Sequence, residues 1–299
     1  MGSAWRIECR ADGEGAPPLA FEEVFERFLG TVDTTQVTAL VFGRWGEDMG
    51  EDMVEDAFAD SHHPARSLVA AADRFPALRS VFFGDVAEDI SEDIVYIEHG
   101  DLTPVLRAFP RLEELWVRGT PDLSQKLARY FEPLRHTGLR RLVLQSGGLH
   151  PDVIRAISAC DFPELRHLEL YLGHPDWCGW TKPEDLAWLL AGESFPKLDH
   201  LGLRNSLIQD EIAAAVAQAP VVAGLRVLDL SLGALGDEGA VALLHGQPLG
   251  HLSVLDLHHH YVSEAVQDRL RAAWPGVDVD LSWRRTVDES GRRYVGIGA

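Results

Sequence analysis

The chain has 299 residues, 46% of them hydrophobic, which is enough to bury a large core, and its formal net charge is −20. A field of that sign repels phosphate backbones and anionic lipid surfaces, so neither nucleic acid nor membrane is an expected partner. Three cysteines (Cys9, Cys160, Cys178) with no CxxC pair argue against a disulfide framework or a zinc ribbon. There is no run of about 18 apolar residues and no basic start leading into an apolar stretch, so a cytoplasmic protein is expected.

In chain order, residues 4–30 read as a strand and then a helix, with Phe21, Val24, Phe25 and Phe28 on one face. This is an expected N-terminal cap, residues 1–36. Two looser repeats follow, Val37-Leu40-Phe42 and Leu78-Val81-Phe83, with insertions at 44–66 and 85–104. Residues 44–101 hold 15 acidic and 4 basic residues, −11 of the chain's −20. Pairs such as Glu51-Asp52, Glu55-Asp56 and Glu88-Asp89, Glu92-Asp93 recur about once per helical turn around apolar residues. They predict amphipathic acidic helices, solvated or offered to a basic partner.

From residue 112 one phrase recurs: Leu, two residues, Leu, one residue, Leu. It reads Leu112-Leu115-Val117, Leu139-Leu142-Leu144, Leu165-Leu168-Leu170, Leu198-Leu201-Leu203, Leu225-Leu228-Leu230 and Leu252-Leu255-Leu257, with a remnant at Val279-Leu281. Steps of 24 to 27 residues dominate, and longer ones mark insertions. Phe-Pro precedes the phrase at Phe75, Phe109, Phe162 and Phe195, and Trp274-Pro275 is a looser copy. Proline cannot continue a helix, so each copy predicts a helix end turning into the next strand. Asp210, Asp237 and Glu264 are spaced by 27 residues and are expected at helix starts, as caps of their own helices. Residues 283–299 predict a capping hairpin with strands near 283–287 and 292–297 and a turn at Asp288–Gly291.

The expected fold is therefore an α/β leucine-rich-repeat solenoid, or horseshoe, forming one domain over 1–299. About nine parallel strands line its concave face (37–282), helices cover the convex face, and both ends are capped. The segment Leu225–Leu235 followed by Gly236-Asp-Glu-Gly-Ala240 resembles the ribonuclease-inhibitor-like repeat subtype. Phe83-Gly84-Asp85, Gly202–Ser206, Leu228–Gly233, Leu255–Tyr261 and Arg293-Tyr294-Val295 resemble an uncharacterised, actinobacterial-type family of bacterial leucine-rich-repeat proteins. The resemblance implies a non-catalytic accessory or scaffolding role. The ninth repeat position departs from the usual Asn or Cys: it holds Thr120, Gly147, Gly173, Ser206, Gly233 and His260. The turns must therefore be satisfied some other way.

Alternation along the strands points the leucines inward and the residues between them outward, in columns. One column reads Val41, Phe82, Trp116, Val143, Glu169, Gly202, Asp229, Asp256, Asp280. The next holds Arg118, Gln145, Tyr171, Arg204, Ser231 and His258, and the preceding one includes Glu114, Arg141, His167, His200 and Asp278. The face should thus turn from aromatic to acidic. Expected partner contacts are Phe82, Trp116, Arg118, Glu169, Tyr171, Arg204, Asp229, Asp256 and His258, plus Trp177 and Trp180 in a rim loop at 171–183. The expected partner is a protein, and a basic patch on it would complement the chain's negative charge. No cofactor, metal or catalytic residue is assigned: GxSxG, P-loop, HExxH and GxGxxG are all missing. The alternative is a metal-dependent or cysteine-based enzyme, for which His258-His259-His260, the aspartate column and the His174/Cys178 pair are the candidate groups.

Overall fold

The computed structural model describes residues 2–9, 19–45, 63–85, 94, 97–121 and 130–297. Most of the first acidic insertion and half of the second, with the helices expected there, lie outside the described residues.

Ten parallel strands form one sheet, in the order β1-β2-β3-β5-β7-β8-β9-β10-β11-β12. They are β1 (Ser3–Ile7), β2 (Val37–Phe42), β3 (Ser80–Phe83), β5 (Glu114–Arg118), β7 (Arg141–Gln145), β8 (His167–Gly173), β9 (His200–Ser206), β10 (Val227–Asp229), β11 (Val254–Asp256) and β12 (Asp278–Asp280). Nine carry the repeat, and β1 pairs with β2 at the sheet's N-terminal edge. A small pair, β4 (Glu98–His99) with β6 (Thr120–Pro121), sits apart. Helices alternate with the strands: α1 (Phe21–Thr31), α2 (Pro64–Ala70), α3 (Thr103–Ala108), α4 (Pro151–Ser158), α5 (Ala187–Leu190), α6 (Gln209–Val216), α7 (Asp237–His245) and α8 (Glu264–Ala273). The fold is the expected α/β repeat solenoid, an open sheet with helices on one side.

Register follows the leucine phrase. Leu115 pairs with Leu142, Leu142 with Leu168, Leu168 with Leu201, Leu201 with Leu228, and Leu228 with Leu255. All of these side chains are buried in one core that runs the length of the sheet. Each Phe-Pro closes a turn. Leu78, Leu112, Leu165 and Leu198 donate their N–H groups to the carbonyls of Phe75, Phe109, Phe162 and Phe195, and Val277 does the same to Trp274. The phenylalanines are buried beneath these turns.

The turns lacking asparagine are closed by three other devices. Asp229, Asp256 and Asp280 each accept a hydrogen bond through Oδ1 from the backbone N–H two residues on, at 2.9, 3.0 and 2.8 Å. These Asx turns end the strands. Gln209 accepts from Ser206 N and donates to Leu203 O. His260 is fully buried; it donates through Nε2 to Leu281 O and accepts at Nδ1 from Val262 N.

Asp210 and Asp237 correct the expectation that they cap their own helices. Asp210 Oδ1 accepts from Gly236 N and Gly239 N, at the start of α7 in the next repeat, and Asp237 Oδ1 accepts from Ser263 N before α8. Each acid staples its repeat to the following one. Histidine caps short helices instead. His63, His150 and His174 each precede proline and accept at Nδ1 from the N–H two residues on.

The C-terminal segment also departs from expectation, because it forms no hairpin strands. A turn survives at Asp288, which accepts from Arg292 N, but the chain then runs back over the strand-end turns of three repeats. Tyr294 N–H donates to Tyr261 Oη, Gly296 N to Leu232 O, and Asn205 both donates to Ile297 O and accepts from Ile297 N at 2.9 Å. Strand pairing needs a partner edge, and here the turn carbonyls and amides offer better partners. Asn205, Leu232, His259 and Trp283 occupy the same repeat position and all have φ between 56° and 63°, so the left-handed turn recurs even though only one of the four is asparagine.

Under the first repeats, His63 and His99 form a buried relay. Arg118 O can only accept, so His99 donates to it through Nε2 (2.8 Å) and accepts at Nδ1 from His63 Nε2 (2.8 Å), which frees His63 Nδ1 to cap α2. Both rings pack against Trp45 and Phe83. Burial lowers both pKa values, that of His99 to about 4, so both rings stay neutral.

Candidate functional site on the open strand face

The face away from the helices carries the three predicted columns. At its N-terminal end, Phe82 (β3) and Trp116 (β5) pack at 5.9 Å between centroids and remain half-buried. Each lies under an arginine from the next strand: Arg118 over Phe82 at 5.2 Å and Arg141 over Trp116 at 5.7 Å. Arg118 also donates to Gln145 Oε1 and lies 4.0 Å from Asp85. Val143, expected to be exposed beside them, is buried.

The middle of the face is a packed polar network. Arg204 (β9) lies over Tyr171 at 4.8 Å, donates to Glu169 Oε2 at 2.8 Å, and holds Asp229 Oδ2 at 3.1 Å. Glu169 Oε1 accepts from His167 Nε2 at 2.6 Å and lies 3.6 Å from His200 Nε2. The two imidazoles stack at 3.7 Å and 20°, as their direct pairing across β8 and β9 dictates. Burial would raise the Glu169 pKa, but the His167 hydrogen bond and Arg204 bring it down to about 2. Burial, with Asp256 adding to it, outweighs Arg204 at Asp229 and raises that carboxyl to about 6. His200 is lowered to about 4 by burial and by His167.

Glu169, Tyr171 and Asp229, expected as partner contacts, are therefore buried inside this network. A charge on a surface strand was expected to face water; here three neighbouring strands supply partners that exclude it. Beyond Asp229 the acids are less enclosed. Asp256 holds His258 Nδ1 at 2.7 Å, which raises the His258 pKa, and Asp280 lies close enough to complete a trio. The exposed ring of Trp283 stands edge-on to His258 at 5.4 Å.

The rim loop does not cross the face. Gly173, with φ +73°, lets it bridge back to Gly148, and a Cβ on Gly173 would sit 1.8 Å from Gly147 O. The loop packs on the turn after β7 through His174 N to Gly147 O and Thr181 Oγ1 to Leu149 O. Trp177 is 37% exposed and Trp180 is 53% exposed, with Trp180 edge-on to His150. Cys178 and His174 make a poor dyad: His174 Nδ1 is committed to Asp176 N, and burial pushes the thiol up. Of the three consecutive histidines only His258 reaches the open face, since His260 is fully buried and His259 sits in the left-handed turn.

Arg141, His167 and His200 belong to the site but were not singled out. Their signal was present in two strands that read His-Leu-Glu-Leu and His-Leu-Gly-Leu in register.

No protein-family profile matches the chain, and no curated protein sequence matches it. Among solved structures, a Bacteroides fragilis protein superposes with a TM-score of 0.79 at 24% identity, covering 94% of this chain and 74% of that one. An internalin from Listeria monocytogenes gives a TM-score of 0.36 at 14% identity, over 82% of this chain and 61% of that one, too low to add to the assignment. The Bacteroides likeness supports the fold alone. Among the described residues no helix is long and apolar enough to cross a membrane.

Proposed function

We propose that the chain is a non-catalytic scaffold or accessory subunit that binds a protein partner on the open strand face, centred on Phe82, Trp116 and Arg118. The supporting observation is the Phe82–Trp116 pair, half-buried on the open strand face and, among the described residues, roofed by arginine side chains. Aromatic and arginine side chains anchor interfaces because they bury large areas at low entropic cost. The buried middle network fixes the shape of the face, and Asp256, His258 and Arg141 offer polar contacts around it. The family resemblance in the sequence points to the same accessory role.

The test places a photo-crosslinking amino acid at Trp116 and, as a control, at Arg269 on the helical side, in cells of the native host. The expected result is one discrete adduct from position 116 and none from 269. In the chain without the crosslinking residue, Trp116→Ala should abolish co-purification of that partner without lowering Tm by more than a few degrees. No adduct at 116, or the same adducts from both positions, would refute the proposal.

A further inference from the structure

We propose that His167, Glu169 and His200 form a binding site for one divalent transition-metal ion, zinc above all, on the open face of β8 and β9. Three donor atoms, two imidazole nitrogens and a carboxylate oxygen, converge from adjacent strands with all three within 4.8 Å of one another. The donor separations of 2.6 Å and 3.6 Å at Glu169 Oε1 bracket the spacing of about 3.4 Å between ligands on a tetrahedral ion with bonds near 2.1 Å. A second observation is independent of that spacing. His200 Nε2 is buried from solvent, points at the carboxylate and has no hydrogen-bond partner. An orphaned buried imidazole nitrogen costs free energy unless something completes it.

The chemistry of the set selects the ion. Two imidazoles and one carboxylate suit zinc, cobalt or nickel, and not calcium or magnesium, which take oxygen donors. For His167 to ligate, its Nε2 proton moves to Nδ1 of the same ring, a change of tautomer that releases no net proton, and the two stacked rings splay so that both Nε2 lone pairs meet the ion. Arg204 works in two directions. It fixes the second carboxylate oxygen, as outer-shell partners do, and its charge opposes the ion. Asp229 offsets that charge from 3.1 Å. Three protein donors leave a fourth position on the open face for water or for a side chain from outside. The trio Asp256, His258 and Asp280 lacks the second signal, since no polar atom of it is buried without a partner.

The experiment uses the full chain, stripped with a chelator and titrated with Zn²⁺ by calorimetry and with Co²⁺ by visible absorption at pH 7.5. The expected result is one equivalent bound and a d–d spectrum of a four- or five-coordinate site. His200→Gln and Glu169→Gln should each weaken binding at least ~10–100-fold, with circular dichroism confirming that both variants are folded. Asp256→Asn combined with His258→Ala should leave affinity and stoichiometry unchanged. Three outcomes overturn the site: no saturable binding, binding unaltered in folded His200→Gln, or binding lost in the Asp256/His258 variant. None of these outcomes depends on whether a protein partner exists.

Discussion

Replacing Arg204 by methionine keeps the hydrocarbon stem and removes the charge that joins β8, β9 and β10. The guanidinium holds Glu169 at 2.8 Å and Asp229 at 3.1 Å, and donates to Ser231 Oγ at 3.0 Å. The three charged side chains are 14%, 8% and 7% exposed, so solvent cannot take over. Breaking a buried pair in this way costs about 3–5 kcal/mol, because the stranded charge loses its partner without regaining water. At roughly 2 °C per kcal/mol for a chain of this size, Tm should fall by about 6–10 °C at pH 8.

The pH dependence separates this account from a simple packing loss. Without the guanidinium, Asp229, already raised to about 6 by burial, loses the group that opposes the rise and goes higher still, while Glu169 keeps its His167 hydrogen bond. The folded state then binds protons that the unfolded state does not, so the variant gains stability as pH falls from 8 to 5. Urea unfolding of the chelator-treated protein, followed by circular dichroism at both pH values, should show the gap to wild type narrowing at pH 5. A deficit under about 1 kcal/mol at pH 8, or one that does not change with pH, would refute the reasoning.

Asp210→Ala removes three contacts, to Gly236 N, Gly239 N and Arg293 Nη1, and should cost about 2–3 kcal/mol. In a double-mutant cycle with Arg293→Ala the costs should be less than additive; strict additivity would return Asp210 to its own helix. His99 should remain neutral in NMR titration through pH 5.5. Its folded pKa of about 4 lies below the unfolded value, so the stability it contributes is complete above pH 6.5 and lost as pH falls toward 4, by up to about 3 kcal/mol. An NMR midpoint near 6.5 would sink that assignment. Cys178 should react with a thiol reagent at pH 7.5 no faster than a free cysteine, since burial pushes its pKa up; accelerated labelling would reopen the cysteine-based reading.

The strands and their register were legible because leucine spacing and Phe-Pro recur in the chain itself, and both act through local geometry. The first helix was legible for a related reason: Phe21, Phe25 and Phe28 fall on one helical face and are buried as expected. What failed were features decided by neighbouring repeats. Asp210 looks like a helix cap within its own segment, yet its acceptor atoms lie nearer the amides of α7. The tail from Trp283 alternates like a hairpin, yet exposed turn groups of three earlier repeats take its hydrogen bonds. The outward position of Glu169 and Asp229 was correctly read, but their burial depends on Arg204 from the strand between them in the sheet.

This division bears on what a partner or ion can use. Along the open face each arginine covers an aromatic ring from the preceding strand: Arg118 on Phe82, Arg141 on Trp116, Arg204 on Tyr171. The three pairs differ in what else holds the arginine. Arg204 is fixed by two carboxylates and a hydroxyl, so Tyr171 stays covered whatever approaches. Among the described residues Trp116 is covered by Arg141, whose guanidinium lies 5.7 Å from the ring centroid and whose long side chain loses little by swinging away. The aromatic surface that can open is therefore at Trp116, whereas the surface that keeps its geometry is the one holding Glu169 against His167 and His200. A rigid donor set beside a yielding aromatic patch is the arrangement to expect if the two sites act on neighbouring parts of one ligand. Metal-loaded and metal-free protein compared in the Trp116 crosslinking assay decides it: adduct yield that rises with Zn²⁺ couples the sites, and equal yields make them independent.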